Sequence, residues 1–487
     1  MDDPEFFLPE APGDEPPRVR AATFPPRYRI HKYWGKKPGN VVAAYIERFS
    51  APGALVLDLF AGSGVVLAET LLAGRRGVAV DLNPIAGLIT RVTVEGADPL
   101  RFAAEAARIQ EAGRALRREL FGETCARCGA HGDVVSTAFD GEKALRITLD
   151  CAACGTVIQA PRADDPRLDP AGRGLPEVGD HPDEALFLGW EMRKLARRGL
   201  TRWSQLFTRR NLVAVAFLRR AIERTVDTPV RRALLVSFSA HLAQSTRMIG
   251  DPTSRGGGPS WKLNCYWLPK TWLELNPFRY FENRIQRTAL GLADMARRLS
   301  RPMRDGDDYR IVTGSSERLG EIVARGSVEY VFTDPPYGGE GIQYGELSML
   351  WNLWCGEAID LAREVAFNPV QKKDAAAYQR RLTECMAAAY TALAPGAFAT
   401  VTFANKDRAV WRALLEACKT AGFELRYAVP MTPSAPNLTN ILSDAAPKSD
   451  VILTFQKPAP GPRPRSDAER EPDRDRSPEI AAPLPPR

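Results

Sequence analysis

The sequence predicts an α/β fold in which a parallel sheet is interrupted by a large insertion. Residues 55–60 form an apolar run that indicates a buried strand, and Ala61-Gly62-Ser63-Gly64 leads from it into a helical stretch. A second strand over 77–81 ends in an acidic residue. A strand, a glycine-rich turn and a helix in this order are typical of doubly wound folds that bind nucleotides at the carboxyl ends of their strands.

The next strands lie far along the chain. The next strands predicted for this sheet are at 309–313 and 328–332, so the residues between them and the second strand are numerous enough to form a domain. The predicted organisation is a disordered N-terminus at 1–20, sheet-domain parts at 21–100 and 306–456, an inserted domain at 101–305 and a disordered tail at 457–487.

The composition favours a globular protein with a polyanionic partner. Of the 487 residues, 66 are basic and 53 of these are arginine, and the formal net charge is +7. Arginine suits phosphate oxygens because its planar guanidinium donates parallel hydrogen bonds, although a GC-rich genome would enrich arginine as well. The N-terminus is acidic, and the longest uncharged run, 385–405, contains Pro395-Gly396. We therefore expect a cytoplasmic protein without a membrane partner.

Four cysteines in the insertion predict a metal site. They form two C-x2-C pairs that are each followed by glycine, and the residues between the pairs alternate as strands around Asp140-Gly141. Four thiolates at this spacing are typical of a zinc ribbon, here over about 121–160, and disulfides or free thiols are the alternative. A zinc ribbon serves as a structural module or contacts nucleic acid, and the sequence leaves both roles open. The predicted ligands are Cys125, Cys128, Cys151 and Cys154.

The rest of the insertion, 183–305, is predicted to be helical and basic. Arginines crowd there among aromatic residues, a combination that can bind phosphates and stack on bases. The alternative is an arginine-covered solvent face over a packed core. The candidate nucleic-acid contacts are Arg209, Arg210, Arg255 and Lys262.

The stretch Thr333-Asp334-Pro335-Pro336-Tyr337-Gly338 carries the strongest chemical signal. Two prolines after a strand hold the chain rigid and extended and leave nearby carbonyls free. An acid, a free carbonyl and an aromatic face then suit a planar base with an exocyclic amine, because Asp334 and the Pro335 carbonyl can accept both amine hydrogens. The alternative is a tight turn with a packed tyrosine.

The two motifs resemble those of a known family. Asp-Pro-Pro-Tyr is the catalytic motif of the amino-methyltransferases, and Phe60-x-Gly62-x-Gly64 followed by Asp81 is similar to the S-adenosylmethionine site of class I methyltransferases. With the zinc ribbon, the chain most resembles adenine-specific DNA methylases that carry such an insertion. The resemblance implies a Rossmann-like, seven-stranded sheet, S-adenosylmethionine and structural zinc as cofactors, and methylation of adenine N6 in DNA.

The resemblance also assigns the site residues. Ser315 or Ser316 stands where many methyltransferases place an acid that holds the cofactor adenine. The implied catalytic residues are Asp334, Pro335, Pro336 and Tyr337, and the implied cofactor contacts are Asp58, Phe60, Gly62, Gly64, Asp81, Asn83 and Ser315.

Other functions remain open at this stage. The same motif serves N4 of cytosine, and Thr-Asp-Pro-Pro-Tyr-Gly also resembles enzymes that methylate guanine amines in transfer RNA. A zinc-ribbon DNA-binding protein with an inactive methyltransferase fold is a further alternative, against which the intact motifs argue. The expected partners are DNA and a restriction or phage-defence protein.

Overall fold

The computed structural model describes residues 16–459 except 163, 170, 171, 173, 188, 253–260, 262–264, 339–341, 406 and 433–449. Its strands are β1 (Leu55–Asp58), β2 (Arg76–Asp81), β3 (Gly122–Thr124), β4 (His131–Asp140), β5 (Lys143–Cys151), β6 (Gly155–Gln159), β7 (Thr271–Leu275), β8 (Tyr309–Thr313), β9 (Val328–Thr333), β10 (Leu393–Phe403), β11 (Glu424–Pro430) and β12 (Val451–Gln456). Its α-helices are α1 (Gly39–Phe49), α2 (Val65–Leu72), α3 (Pro84–Glu95), α4 (Pro99–Ala112), α5 (Arg114–Phe121), α6 (Met192–Ala196), α7 (Arg209–Glu223), α8 (Thr228–Leu242), α9 (Pro277–Arg298), α10 (Tyr344–Cys355), α11 (Ala375–Ala392) and α12 (Arg408–Ala421).

The larger sheet has seven strands in the order β11-β12-β10-β9-β1-β2-β8. Strand β12 is antiparallel to both neighbours, and the other pairings are parallel. From β1 the chain proceeds outward through β2 and β8 on one side, and through β9 and β10 on the other. The carboxyl ends of β1, β2 and β9 therefore meet at a topological switch point, where open α/β sheets bind ligands. The predicted mixed α/β class is confirmed.

The second sheet lies in the insertion and contains a strand that the sequence analysis missed. Strands β3, β4, β5 and β6 pair in that order, with the predicted hairpin between Asp140 and Lys143. Strand β7, from the region predicted to be helical, pairs with β4 so that Trp272 lies opposite Phe139. The cysteine-bearing ribbon is thus joined to the helical part by a strand more than 130 residues further along the chain.

The insertion shares a hydrophobic core with the sheet domain. Ile85 of α3 and Trp351 of α10 belong to the same buried cluster as Phe238 and Phe281 of the insertion. Two further clusters contain buried residues of the seven-stranded sheet and its helices. Buried Glu346 on α10 also accepts hydrogen bonds from the backbone N–H groups of residues 190 (3.0 Å) and 191 (2.7 Å). Apolar packing and buried polar contacts therefore both connect α10 to the insertion.

Ordered structure extends past both boundaries predicted for the disordered ends. Arg20 forms a β-bridge with Thr432, and the backbone N–H of Lys457 donates to the carbonyl of Ala397 (2.9 Å). Within the described part of the chain, no helix combines the length and the apolar character needed to cross a membrane.

Candidate active site and metal cluster

A cleft of about 940 Å³ opens at the switch point of the sheet. Its walls include the turns after β1, β2, β8 and β9 and the segment that precedes α1. Asp334 and Pro336 of the predicted catalytic turn line this cleft. So do six of the seven residues predicted to contact a cofactor: Asp58, Phe60, Gly62, Asp81, Asn83 and Ser315. The structure therefore brings both predicted halves of the site to one cavity.

Asp81 is held at the end of β2 by two backbone donors. The N–H of Gly62 donates to Oδ2 (2.7 Å), and the N–H of Asn83 donates to Oδ1 (2.8 Å). Each carboxylate oxygen keeps a second lone pair for another donor. Burial raises the pKa of Asp81 to about 6. The carboxylate is thus positioned to accept two hydroxyl groups of a ligand in the cleft.

Asp58 is buried at the end of β1. Its Oδ1 accepts hydrogen bonds from the N–H of Phe60 (3.1 Å) and from the Thr333 hydroxyl (2.9 Å). Burial, with smaller contributions from Asp81 and Asp334, raises the pKa of Asp58 to about 8. A cation in the cleft would favour the ionised carboxylate, because an opposite charge nearby offsets the cost of burial.

The two glycines after β1 have different surroundings. Gly62 lines the cleft, whereas Gly64 does not. Gly64 has a φ of +77°, and a Cβ placed there would lie 2.6 Å from the Thr90 side chain. Gly64 therefore allows α2 to pack closely against α3. The sequence pattern could not separate these two roles, because both glycines occupy one short turn.

The Asn83 amide is engaged within the protein. It donates to the hydroxyls of Ser348 (2.9 Å) and Tyr33 (3.2 Å) and accepts from the Asn352 amide (2.9 Å). These bonds fix the start of α3 against α10. The side chain of Asn83 thus supports the wall of the cleft, and its backbone N–H orients Asp81.

The choice between Ser315 and Ser316 is decided by a hydrogen bond. The Ser316 hydroxyl donates to the carbonyl of Leu59 (2.5 Å), which joins the loop after β8 to the end of β1. Both serines line the cleft, and Ser315 is the N-terminal flanking residue of a short 3-10 helix. Ser315 is therefore the better candidate for a ligand contact.

Asp334 lies between a threonine and a lysine. The Thr402 hydroxyl donates to Oδ1 (3.1 Å), and Lys37 Nζ lies 3.0 Å from Oδ2. Lys37 is only 5% exposed and also contacts Asp450 Oδ2 (2.9 Å) and the Tyr337 hydroxyl (2.6 Å). Burial raises the pKa of Asp334 to about 6, while Lys37 acts in the opposite direction. One ammonium group is therefore shared by two carboxylates.

The rest of the proline turn is held by its own contacts. The Pro336 carbonyl accepts from the Tyr378 hydroxyl (2.8 Å), and the Tyr337 carbonyl accepts from the Asn405 amide. The Tyr337 ring meets Phe403 edge to face, with 5.8 Å between centroids. Among the described residues, none donates a hydrogen bond to the Pro335 carbonyl. Pro335 and Tyr337 are not among the residues that line the cleft, although both are next to Pro336, which does.

Sequence analysis missed Lys37 as a site residue. Its neighbour Lys36 has the same side chain, yet donates to the carbonyls of Tyr28 (2.7 Å) and His31 (2.5 Å). Burial lowers the pKa of Lys36 to about 7. The sequence around it, 31–38, is basic and aromatic, but such a run does not show which lysine reaches the carboxylates. Thr402 and Asp450 carried no signal of their own.

The four predicted metal ligands lie together in the insertion. One ligand atom from each of Cys125, Cys128, Cys151 and Cys154 lies within 4.8 Å of the others, and the Cys128 and Cys151 sulfurs are 3.6 Å apart. Tetrahedral Zn–S bonds of about 2.3 Å place sulfurs at similar separations. Contact with Cys128 raises the pKa of the Cys154 thiol to about 12. A cation bound by the four sulfurs would favour the thiolate form, because an opposite charge nearby stabilises an ionised group. The cluster therefore fits a zinc ion.

The four residues predicted to contact nucleic acid differ in burial and in whether the structure describes them. Arg210 is 1% exposed and pairs with Glu274 of β7 and with the Thr137 hydroxyl, so its prediction as an exposed phosphate contact is corrected. Arg210 does not fit the alternative of an arginine on a solvent face either, because its side chain lies inside the core. Arg209 is half-buried at the start of α7. Arg255 and Lys262 lie outside the described residues.

Comparisons with known proteins give only partial matches. No protein-family model and no curated protein matches the chain. A Thermus thermophilus protein provisionally described as a DNA modification methylase is 16% identical, and the match covers 32% of this chain and 57% of that one, with a TM-score of 0.19. The antibiotic-resistance methyltransferase Kmr is 14% identical (34% and 67% covered, TM-score 0.20). A methyltransferase homolog protein from Pyrococcus horikoshii is 16% identical (36% and 50% covered, TM-score 0.20). The chain thus spans just over half the length of the Thermus protein, and superpositions at these TM-scores do not establish a shared fold.

Proposed function

We propose that this chain is a methyltransferase that uses S-adenosylmethionine to methylate the exocyclic N6 of adenine in DNA, on a class I methyltransferase fold. The observation that carries the proposal is the single cleft that joins the glycine turn after β1 and Asp81 to the turn at Asp334. A cofactor and an amine bound at these two places would lie side by side at one switch point of the sheet.

The cofactor half would be held by carboxylates. Asp81 is placed to accept the two ribose hydroxyls, because both of its oxygens are oriented by backbone donors. Asp58 would lie near the cationic end, where a positive charge would offset the cost of its burial. The cofactor, when bound, supplies an electrophilic methyl group.

The target half would act by orienting the amine. The lone pair of an adenine amine is delocalised into the ring and is a poor nucleophile. Hydrogen bonds from its two hydrogens to Asp334 and to the free Pro335 carbonyl would localise that lone pair on nitrogen. Only the ionised carboxylate of Asp334 is purely a hydrogen-bond acceptor. The same carboxylate would take the proton that the amine loses. Positioning of this kind supplies much of the rate in group transfer.

A duplex hides the amine, so the base must leave the stack. Enzymes that modify bases flip the target nucleotide into a pocket and stack it on an aromatic residue. Tyr337 is the aromatic candidate here, and its hydroxyl is held by Lys37 at 2.6 Å. The cysteine cluster would hold zinc in a structural role, because its four thiols leave no open coordination position.

The test is methyl transfer from labelled S-adenosylmethionine to duplex DNA and, in parallel, to total RNA, followed by nucleoside analysis. N6-methyladenine from DNA would support the proposal. Detection of N4-methylcytosine would leave the proposed site intact and change the target base to cytosine. Label found only in RNA would refute DNA as the substrate.

The Asp334→Ala variant tests the site itself. It should lower the rate roughly 100-fold or more and leave cofactor affinity, measured by calorimetry, unchanged. Asp307→Ala, at a side chain that is 62% exposed, serves as the control. Loss of cofactor binding in Asp334→Ala would show that the two halves of the site are wrongly assigned.

A further inference from the structure

A second pocket, of about 540 Å³, lies where the ribbon sheet meets the start of α7. One wall is the cross-strand pair Phe139 and Trp272, whose rings stack with 4.4 Å between centroids and an interplanar angle of 7°. Four arginines and three carboxylates also line the pocket: Arg167, Arg209, Arg210, Arg247, Glu142, Asp169 and Glu274.

Two of the four arginines are already neutralised. Arg167 pairs with Glu123 (2.5 Å) and Asp165 (2.6 Å), and Arg210 pairs with Glu274. Arg209 and Arg247, in contrast, make no side-chain hydrogen bond and no ion pair with any residue that the structure describes. The pocket therefore holds two guanidinium groups whose donors are free for a ligand.

Of these two arginines, Arg247 gives the stronger argument for a bound anion. Its guanidinium carbon lies 5.4 Å from the centre of the Trp272 ring. Burial lowers the pKa of Arg247, and Glu142 opposes this only through its charge, without contact. A partly desolvated cation that pairs with no carboxylate among the described residues is unfavourable, and a bound anion would relieve that cost.

Arg209 approaches the pocket from the first turn of a 15-residue helix. Thr208 caps this helix, and its hydroxyl also donates to Glu274 (2.5 Å). The stem of Arg209 lies against Gly172, where an added Cβ would fall 2.2 Å from Arg209 Cγ. Packing thus restricts Arg209, and the amino end of α7 adds favourable potential for an anion.

We propose that this pocket binds one backbone phosphate of the nucleic-acid substrate through Arg247 and Arg209. A diester phosphate fits better than a free nucleotide, because Phe139 and Trp272 cover each other, are both 5% exposed and offer no face for a base. The inference rests on the proposed function for the identity of the substrate, and the pocket would contribute affinity without reading sequence.

The distance from the cleft agrees with this assignment. Helix α10 begins at Tyr344, which lines the cleft, and its Trp354 contacts Phe207, which lines the second pocket, with 5.5 Å between centroids. The ten residues of helix between them span about 15 Å. At about 3.4 Å per base step along one strand, a span of that length corresponds to roughly four nucleotides.

The test measures duplex binding by fluorescence anisotropy over a range of salt concentrations. Arg247→Gln should weaken binding roughly tenfold, equally for several unrelated sequences, and reduce the slope of log K against log salt by about 0.9. Arg209→Gln should act in the same direction. Arg301→Gln, an exposed arginine that pairs with Asp308 in the sheet domain, is the matched control. Cofactor affinity should be unchanged in all three variants.

An unchanged slope in Arg247→Gln would overturn the proposal. If inorganic phosphate raised the melting temperature of the wild type but not of Arg247→Gln, while duplex binding stayed equal, the pocket would be a free-phosphate site and the backbone assignment would be wrong. If the wild type transferred no methyl group to DNA but Arg247→Gln still reduced the salt slope of duplex binding, the proposed function would be refuted and the assignment of the pocket would stand.

Discussion

Replacing Lys37 should move the pH dependence of methyl transfer upward, and replacing Asp450 should move it downward. Lys37 Nζ lies 3.0 Å from Asp334 and 2.9 Å from Asp450. The positive charge of Lys37 lowers the pKa of Asp334, and the negative charge of Asp450 raises it. If only ionised Asp334 orients the amine, the midpoint of the acid limb of the pH–rate profile follows the pKa of Asp334. Lys37→Met should therefore raise the midpoint, and Asp450→Asn should lower it.

The size of the effect follows from the geometry. The pKa of Asp334 is about 6, so about 90% of the wild-type protein is ionised at pH 7. Loss of an opposite charge in direct contact raises a carboxyl pKa by roughly one to three pH units. A rise of about one unit leaves half of Asp334 ionised at pH 7, and a rise of about two units leaves a tenth. The rate at pH 7 should fall about two- to tenfold in Lys37→Met and recover near pH 9.

The assay is single-turnover methyl transfer at saturating cofactor between pH 5 and 9.5. Lys419→Met, at an exposed lysine of α12 that does not line the cleft, is the control. Asp58 also faces Asp334 and titrates in this range, but neither variant removes it. Midpoints that shift in opposite directions in Lys37→Met and Asp450→Asn would therefore identify Asp334 as the group that titrates. Midpoints that moved in the same direction, or not at all, would refute the reasoning.

Three further outcomes are expected. Cys125→Ser should release zinc and lower the melting temperature, and an unchanged zinc content by mass spectrometry would refute the four-thiol site. Arg210→Leu should cost about 3–5 kcal/mol in urea unfolding by leaving Glu274 buried and unpaired, and Arg210→Leu combined with Glu274→Leu should recover most of it. The pKa of Asp58 is about 8 in the folded protein and near 3.9 in the unfolded chain, so its protonated form favours folding. This contribution to the free energy of unfolding is complete below about pH 4 and is lost progressively as the pH rises to about 8. Asp58→Asn should therefore gain stability over the cofactor-free wild type between pH 5 and 9 in thermal melts, by at most about 1.4 kcal/mol per pH unit.

The sequence by itself determined the features that depend on local patterns. Strand composition and the turn at Gly62 located β1 and β2, and the run before Asp334 located β9. The two C-x2-C pairs identified the four cysteines that converge, because each pair lies in a short knuckle on a predictable hairpin. Such signals are readable because side-chain period and turn chemistry act over a few residues.

Only the tertiary structure decided which of several similar side chains reaches a site. Lys36 and Lys37 are neighbours with the same chemistry, yet only Lys37 reaches Asp334. Arg210 was predicted to contact phosphate and instead lies buried against Glu274, because β7 pairs with β4 and brings that carboxylate under α7. Burial and partner choice depend on contacts between segments far apart in the chain, and no local pattern records them.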